Sequence, residues 1–95
     1  MLEVVWLQIA RADLMSIIDY ISDDNLDAAQ QVKDDIELKV NKLPDFPKMG
    51  RAGRVEGTRE LVALSNYIVV YHENPDLIRI LRVLHAAQQW PPATE

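Results

Sequence analysis

The second half of the chain carries three short apolar runs that are rich in β-branched and aromatic residues. The runs are residues 59–64, 67–72 and 77–85, and polar turn residues separate them at 65–66 and 73–76. Runs of this length and composition between turn signals are typical of consecutive strands in an antiparallel sheet. The pattern therefore predicts a three-stranded antiparallel meander.

The lengths of the two turns decide which side chains share a face of this meander. A two-residue first turn, Ser65 and Asn66, would place Leu64 opposite Tyr67. A four-residue second loop would place His72 opposite Leu77, and Arg82 then lies opposite Tyr67. Strand alternation gives one face with Arg59, Leu61, Ala63, Ile68, Val70, His72, Leu77, Arg79, Leu81, Val83 and His85. The other face carries Glu60, Val62, Leu64, Tyr67, Val69, Tyr71, Ile78, Ile80, Arg82 and Leu84.

Upstream of the meander, the apolar positions take the spacing of helices. Apolar residues recur with helical period over 10–21 and again over 29–43. A polar cluster ends the first helix, and Asp24 or Asn25 is expected to cap the second. Pro44 prevents the second helix from continuing. Two amphipathic helices with so short a link predict an antiparallel helical hairpin.

The remaining segments complete a fold prediction. Residues 2–7 form an apolar run that is expected to be a first strand, and residues 54–56 could add an edge strand to the meander. The glycines of the 44–58 loop fit the spacing of neither a P-loop nor a dinucleotide fingerprint. We therefore expect one α+β domain over residues 1–95. It has an N-terminal strand and an antiparallel helical hairpin packed on a three- to four-stranded antiparallel meander.

Neither predicted face of the meander is polar, although an antiparallel sheet that is half exposed has apolar residues on one side only. The helical hairpin supplies one cover for the sheet. The sequence shows no second cover unless the last few residues provide it, with Trp90 as the anchor of the tail. This pattern favours a protein partner on the second face.

Composition narrows the class of protein further. The chain has 95 residues, a formal net charge of −5 and no cysteine. One core fits this length, and a disulfide framework or a thiolate zinc site is excluded. With neither a long apolar run nor signal-peptide features, we expect a cytoplasmic protein without membrane contact, metal or cofactor. The acidic balance argues against a wide phosphate-binding surface. Basic residues do gather between Lys39 and Arg82, but a solvated surface is the more ordinary interpretation.

Short segments that are individually unspecific occur in a characteristic order along the whole chain. They are Trp6; Ala12-Asp13-Leu14; Ile17-Ile18-Asp19-Tyr20-Ile21; Ala28-Ala29; Leu43-Pro44 with Pro47; Gly53-Arg54; Gly57-Thr58-Arg59-Glu60-Leu61; Tyr67-Ile68-Val69-Val70-Tyr71; Ile80-Leu81-Arg82-Val83-Leu84-His85; and Trp90-Pro91. In this order they resemble the toxins of the RelE/ParE superfamily from bacterial type II toxin–antitoxin modules.

The resemblance implies a growth-inhibiting toxin, of a kind linked to plasmid stabilisation, that is neutralised by a cognate antitoxin. Operator DNA would be reached only through that antitoxin. We expect the antitoxin to contact the edges of the helical hairpin and one sheet face, with Tyr67, Tyr71 and Trp90 as anchors. Apolar anchors of this kind serve both helix-in-groove and strand-addition contacts.

Two activities occur in the superfamily, and the RelE-like branch cleaves mRNA on the ribosome. Its chemistry would use His85 as acid or base and Arg82 with Arg59 as phosphate clamps. Strand alternation, however, places His85 and Arg82 on opposite faces, and Ile68 stands where this branch often has a basic residue. A hydrogen bond to the backbone is an equally good role for His85, and cross-strand ion pairing is a better one for Arg59 with Glu60.

The ParE-like branch inhibits DNA gyrase and needs no catalytic residues. A chain with the scaffold residues of the superfamily and an incomplete nuclease set fits this branch better. An inactive relative that only binds the antitoxin is a third alternative.

Overall fold

The computed structural model describes residues 2–64, 66–88 and 90–91. The elements are β1 (Glu3–Trp6), α1 (Gln8–Ser22), α2 (Leu26–Asn41), β2 (Arg51–Ala52), β3 (Arg59–Ala63), β4 (Tyr67–Glu73) and β5 (Leu77–His85). The five strands form one mixed sheet in the order β1-β5-β4-β3-β2. The predicted α+β architecture, a helical hairpin on an antiparallel meander, is confirmed.

Local signals in the sequence explain where α2 begins and ends. The side chain of Asn25 accepts a hydrogen bond from the backbone N–H of Ala28 at 3.0 Å, so Asn25 is the N-cap. Asp27 in the first turn and Lys39 in the last turn complement the helix dipole. Among the described residues, no helix is long and apolar enough to cross a membrane.

The main core lies between the helical hairpin and one face of the sheet. The helices contribute a stripe of buried residues, and each of the three meander strands contributes alternate residues. The buried members are Ala10, Val32, Ile36, Val40, Leu43, Leu61, Ala63, Val69, Tyr71, Ile78, Ile80 and Val83. Burial of this apolar surface is the main favourable contribution to folding.

The expected register between β3 and β4 is wrong by one residue. Ala63 pairs with Tyr67, so three residues rather than two connect these strands. Leu64, the first of the three, adopts a left-handed backbone with a φ of 47°. Ser65, which the sequence placed in a two-residue turn, lies outside the described residues. A slip of one residue moves all the side chains of a strand to the other face of the sheet. The side chain of Leu61 therefore lies on the face that the helices cover, and not on the face that the expected register gave it.

The expected register between β4 and β5 is also wrong, and a β-bulge is part of the reason. Val70 pairs with Arg82, whereas the next residue of β4, Tyr71, pairs with Ile80. Leu81 is therefore an extra residue in β5.

The pairing shift relocates several candidate site residues. His72 lies opposite Arg79 rather than Leu77, and Tyr67 lies opposite His85 rather than Arg82. Beyond the bulge, the side chains of β5 change faces relative to the expected assignment.

The second face of the sheet is covered by the chain itself. This corrects the expectation that a protein partner covers it. Ile68, Val70 and Leu84 form a separate cluster and are at most 4% exposed. Leu81 and Trp90 pack against this cluster, so side chains of the chain itself cover it. The need for a cover was correct, and the chain itself provides it.

The two edge strands are short. β1 pairs with β5 in a parallel arrangement over residues 3–6. The edge strand that was expected at residues 54–56 lies instead at Arg51–Ala52, where it pairs with Arg59 and Glu60. Both β5 and β3 consequently extend beyond their outer neighbours.

The hydroxyl of Tyr71 fixes the α2–β2 loop to the sheet. It donates to the carbonyl of Pro47 at 2.8 Å and accepts from the N–H of Gly50 at 2.9 Å. A side chain at Gly50 would lie 2.8 Å from the ring and hydroxyl of Tyr71, so only glycine fits. Gly57 has a φ of 84°, which glycine adopts without strain. These glycines serve the backbone path of the loop.

We expect Leu61→Asp to lower the free energy of unfolding by several kcal/mol or to unfold the domain, because it buries an unpaired charge. Leu61 is 7% exposed on the helix side of β3. The adjacent Val62, which is 37% exposed, offers a matched control, and Val62→Asp should change the free energy by less than ~1 kcal/mol. Urea denaturation of both variants measures the difference. Equal losses would contradict the assigned faces.

We expect Tyr71→Phe to cost about 1–3 kcal/mol at neutral pH, because it leaves two buried backbone groups without their partner. Burial raises the pKa of Tyr71 above its usual value of about 10, so the unfolded chain loses this proton first. The contribution of the hydroxyl is therefore complete below pH 10 and falls as the pH rises further. Urea denaturation at several pH values should show the deficit of the variant shrinking above pH 10. A constant deficit would contradict this assignment.

Candidate functional site at the edge between α1 and β5

The open edge of β5 is the point where α1 meets the sheet. β1 covers β5 only from Leu77 to Ile80. Beyond that point no strand among the described residues flanks the outer edge of β5, and the side chain of Asp13 from α1 lies there instead. One carboxylate oxygen of Asp13 accepts from the backbone N–H of Val83 at 3.0 Å. A helix side chain thus satisfies a backbone group that a strand would otherwise pair with.

The same carboxylate holds Arg82 in a bidentate ion pair. Arg82 Nε lies 2.7 Å from Asp13 Oδ2, and Arg82 Nη2 lies 3.0 Å from Asp13 Oδ1. The two side chains are 20% and 16% exposed, which limits screening by solvent. The hydrogen bonds to Asp13 raise the pKa of the Arg82 guanidinium above its usual value. Arg82 is therefore always charged, and its charge is already balanced.

Arg82 also connects this edge to the C-terminal segment. Its guanidinium carbon lies 5.6 Å from the centre of the Trp90 ring, which is a cation–π distance. The carbonyl of Trp90 accepts a hydrogen bond from Arg54 at 3.5 Å. Trp90 is half-buried against the second-face cluster. These contacts explain how the chain covers that face.

An aromatic groove lies beside the ion pair, on the helix side of the sheet. The rings of Tyr67 and His85 meet edge to face with their centres 5.4 Å apart. Ser16, Ile17 and Tyr20 of α1 line the rest of the groove. Tyr20 is 78% exposed and Tyr67 is half-buried. The groove can therefore accept an aromatic or apolar group from outside.

His85 is exposed, and its hydrogen bond fixes the orientation of the ring. Nδ1 accepts from the backbone N–H of Ala87 at 3.1 Å. In the neutral ring the proton is then on Nε2, which is the nitrogen that a ligand could contact. The alternative role predicted for His85 was a hydrogen bond to a backbone carbonyl. A hydrogen bond to the backbone is present, but here the backbone N–H donates and the ring nitrogen accepts.

The three residues proposed for RNA cleavage do not converge. Arg82 and His85 lie on opposite faces of β5, as strand alternation predicted, because the bulge precedes both residues. Arg59 lies opposite Tyr71, four residues along β4 from the partner of His85. From about 3.3 Å per residue and about 4.8 Å per strand, Arg59 and His85 are roughly 16 Å apart. This is the separation of the two backbones, and the Arg59 side chain is held by Glu73, so the two side chains are not prearranged around one phosphate.

Cross-strand ion pairs also engage the basic residues at the β2–β3 end of the sheet, as the sequence predicted, although the partners differ. Arg59 Nε lies 3.1 Å from Glu73 Oε1, and its guanidinium donates to the carbonyl of Gly50 at 2.9 Å. The buried Glu60 pairs with Arg51 at 3.2 Å and accepts from the backbone N–H of Arg54 at 2.9 Å. Glu60 needs these donors because it is only 2% exposed.

The three predicted partner anchors lie in different environments. Tyr71 is fully buried and its hydroxyl is used within the fold, so it does not fit the role of an antitoxin anchor. Trp90 is half-buried against the chain itself. Tyr67 lies in the aromatic groove beside His85. Of the three, Tyr67 has the surroundings that best suit contact with a partner.

Sequence reasoning missed Asp13 and Tyr20 as site residues. With Ser16 they occupy positions i, i+3 and i+7 of α1, which is one helical stripe next to the buried face. Polar residues on such a boundary stripe are a usable signal, but the pairing of Asp13 with Arg82 depends on the tertiary fold. Among the described residues, no group of three His, Asp or Glu side chains could hold a metal ion.

Comparison with known proteins agrees with the fold and covers most of the chain. The sequence model of the family described as "ParE toxin of type II toxin-antitoxin system, parDE" matches residues 4–90. The chain is similar to the toxin homologue Y4kP of Sinorhizobium fredii, with 42% identity over 87 residues and 90% of each chain covered. It is also similar to Toxin RelE2 of Caulobacter vibrioides, with 35% identity over 88 residues, 93% of this chain and 99% of the relative.

A solved structure supports the same relationship. The structure described as the chromosomal ParDE TA system from P. aeruginosa superposes with a TM-score of 0.78 and 27% identity. The alignment covers 90% of this chain and 96% of that one. With a family match across nearly all of its length, the chain belongs to the ParE toxin family of type II toxin–antitoxin systems.

Proposed function

We propose that the chain inhibits growth by binding DNA gyrase and that a cognate antitoxin neutralises it. Membership of the ParE toxin family and the similarity to a ParDE structure support a toxin with an antitoxin partner. Operator DNA would be contacted through the antitoxin. A toxin that acts by binding needs an accessible surface on a rigid scaffold and does not need a catalytic constellation.

The observation that carries this proposal is the state of the three candidate catalytic residues. Arg82 is held by Asp13, and Arg59 is held by Glu73. A phosphate would have to displace a carboxylate from each arginine before it could bind. Because His85 is also remote from Arg59 and on the opposite face from Arg82, the site offers no prearranged cation and acid for one phosphate. These features favour a binding protein.

The aromatic groove is the part of the candidate site that best suits a protein target. Tyr20 and His85 are exposed, and the half-buried Tyr67 lines the same groove in contact with His85. Tyrosine offers a large contact area and loses little side-chain entropy on binding. The Asp13–Arg82 ion pair next to the groove fixes α1 to β5, so the two walls of the groove are held together.

A ribosome-dependent mRNA endonuclease is the alternative. The exposed Nε2 of His85 beside two tyrosines favours it, because RNA bases stack on aromatic rings and a histidine can transfer a proton. The similarity to a toxin named RelE2 also supports it. In this case the arginines would have to exchange their carboxylate partners on the ribosome.

We expect that expression of the chain without an antitoxin arrests bacterial growth. Induction in a host that lacks the module, followed by viable counts and an immunoblot of soluble protein, measures this. Co-expression with the antitoxin should restore growth. Normal growth with abundant soluble, folded protein would contradict a toxin function and would favour an inactive relative that only binds the antitoxin.

We expect the purified chain to inhibit gyrase supercoiling and to leave mRNA on ribosomes intact. His85→Ala removes one wall of the aromatic groove, so it should weaken gyrase inhibition and growth arrest, and mRNA on ribosomes should stay intact with either protein. Supercoiling assays and primer extension on translated mRNA, run on both proteins, make the comparison. Normal supercoiling with codon-positioned mRNA cuts that disappear in His85→Ala would establish the endonuclease instead.

A further inference from the structure

The turn that follows α2 exposes an apolar surface outside the site described above. We define the 42–49 patch as Lys42, Phe46, Pro47, Lys48 and Met49, which line one shallow groove. Phe46 is 61% exposed and Met49 is 40% exposed. Large apolar side chains that are exposed next to one another often mark an interaction surface.

The patch is held rigidly by the fold. The backbone N–H of Phe46 donates to Lys42 at 3.0 Å, and that of Met49 donates to Phe46 at 3.0 Å. Below the patch, the buried hydroxyl of Tyr71 holds the carbonyl of Pro47 at 2.8 Å. A preorganised surface of this kind loses little conformational entropy when it binds.

Two lysines, Lys42 and Lys48, lie at the border of the patch. Most of the other basic side chains form ion pairs with carboxylates, namely Lys33, Lys39, Arg51, Arg54, Arg59 and Arg82. Over residues 2–64, 66–88 and 90–91, neither Lys42 nor Lys48 forms such a pair, although Asp45 lies in the same turn. In a chain of net charge −5, two unpaired lysines beside an apolar patch are complementary to an acidic partner.

We propose that the 42–49 patch is a docking site for an acidic amphipathic segment of the cognate antitoxin. Apolar side chains of that segment cover Phe46 and Met49, and its carboxylates meet Lys42 and Lys48. The inference rests on the proposed function, because that function supplies the antitoxin. The mostly apolar lining favours a protein segment over a nucleic acid, which would require more cations.

The antitoxin is a better occupant of this patch than the target. Interfaces of permanent complexes are larger and more apolar than those of transient encounters. A toxin of this kind stays in complex with the antitoxin and meets its target only after the antitoxin is lost. The patch also lies at the Tyr71 end of β4, whereas the aromatic groove lies at the Tyr67 end, about 13 Å away along the strand. The two surfaces share no lining residue, so a substitution in the 42–49 patch leaves the residues of the aromatic groove in place.

The test measures antitoxin binding by Phe46→Ser with isothermal titration calorimetry on purified proteins. We expect the affinity to fall about 30-fold or more, as is typical when a central aromatic anchor is removed. The matched control is Leu26→Ser, because Leu26 is 74% exposed at the other end of α2 and should leave the affinity unchanged. A second variant, K42E with K48E, should lower the affinity and reduce its dependence on salt.

Growth assays separate the outcomes. Phe46→Ser should still arrest growth, and the antitoxin should no longer rescue the cells. Unchanged antitoxin affinity in Phe46→Ser and in the double lysine variant would overturn the proposal. Loss of growth arrest with unchanged antitoxin affinity would assign the patch to the target and overturn it as well. If the wild-type chain fails to arrest growth, the proposed function fails, whereas the calorimetric comparison still decides the docking site. Thermal melts confirm that each variant is folded.

Discussion

Backbone groups at the margins of the sheet need partners, and in this fold the helices supply them. β1 is shorter than its neighbour β5, and β2 is shorter than its neighbour β3. Among the described residues, part of each longer strand therefore has no strand on its outer side. Asp13 accepts from the N–H of Val83 on one side. On the other side, Asp35 accepts from the N–H of Leu64 at 3.2 Å, and Lys39 donates to the carbonyl of Val62 at 3.3 Å. Exposed strand edges promote pairing with other chains, and these side chains satisfy three of the backbone groups that such pairing would use.

The same contacts fix the helices on the sheet. Asp13 belongs to α1, and the pair of Asp35 and Lys39 belongs to α2, so each helix is tied to a different margin. A partner that added a strand to β3 or β5 would first have to break these bonds. Side-chain surfaces such as the aromatic groove and the 42–49 patch are available without that cost. The structure therefore favours partners that bind through side chains.

Most of the architecture could be predicted from the sequence, because its signals are local. Helical periodicity, the Asn25 cap and the composition of the strands each depend on a few neighbouring residues. The predicted register of the meander strands was wrong for two reasons. A two-residue turn and a three-residue turn look alike in sequence, and the alternation of side chains along a strand does not reveal a bulge at Leu81. Each error of one residue exchanged the faces of a whole segment. The expectation of an uncovered face had a separate cause, because the sequence alone does not show that Leu81 and Trp90 pack over the second face.

The candidate site was predicted in part. The structure places three of the predicted residues near the end of β5, namely His85 and Arg82 in that strand and Tyr67 opposite His85 in β4, and their roles stay predictions. Their surroundings were not predictable, since Asp13 and Arg82 are separated by most of the chain. Tyr71 was misassigned for a related reason. In the sequence, a tyrosine within a strand is typical of an amphipathic anchor for a partner. Only the path of the α2–β2 loop shows that the hydroxyl of Tyr71 forms its hydrogen bonds within the fold.

The strand order has a consequence for synthesis. β5 is the last of the described strands in chain order, yet it lies inside the sheet between β1 and β4. β1 and the apolar stripe of α1 therefore have no sheet to join until β5 has left the ribosome. Contacts so distant in sequence form slowly, because a long loop must close before they contribute. A nascent chain that stops before β5 lacks the strand that joins β1 to β4, and it also lacks Arg82 and His85, so it contains neither the ion pair nor the complete groove.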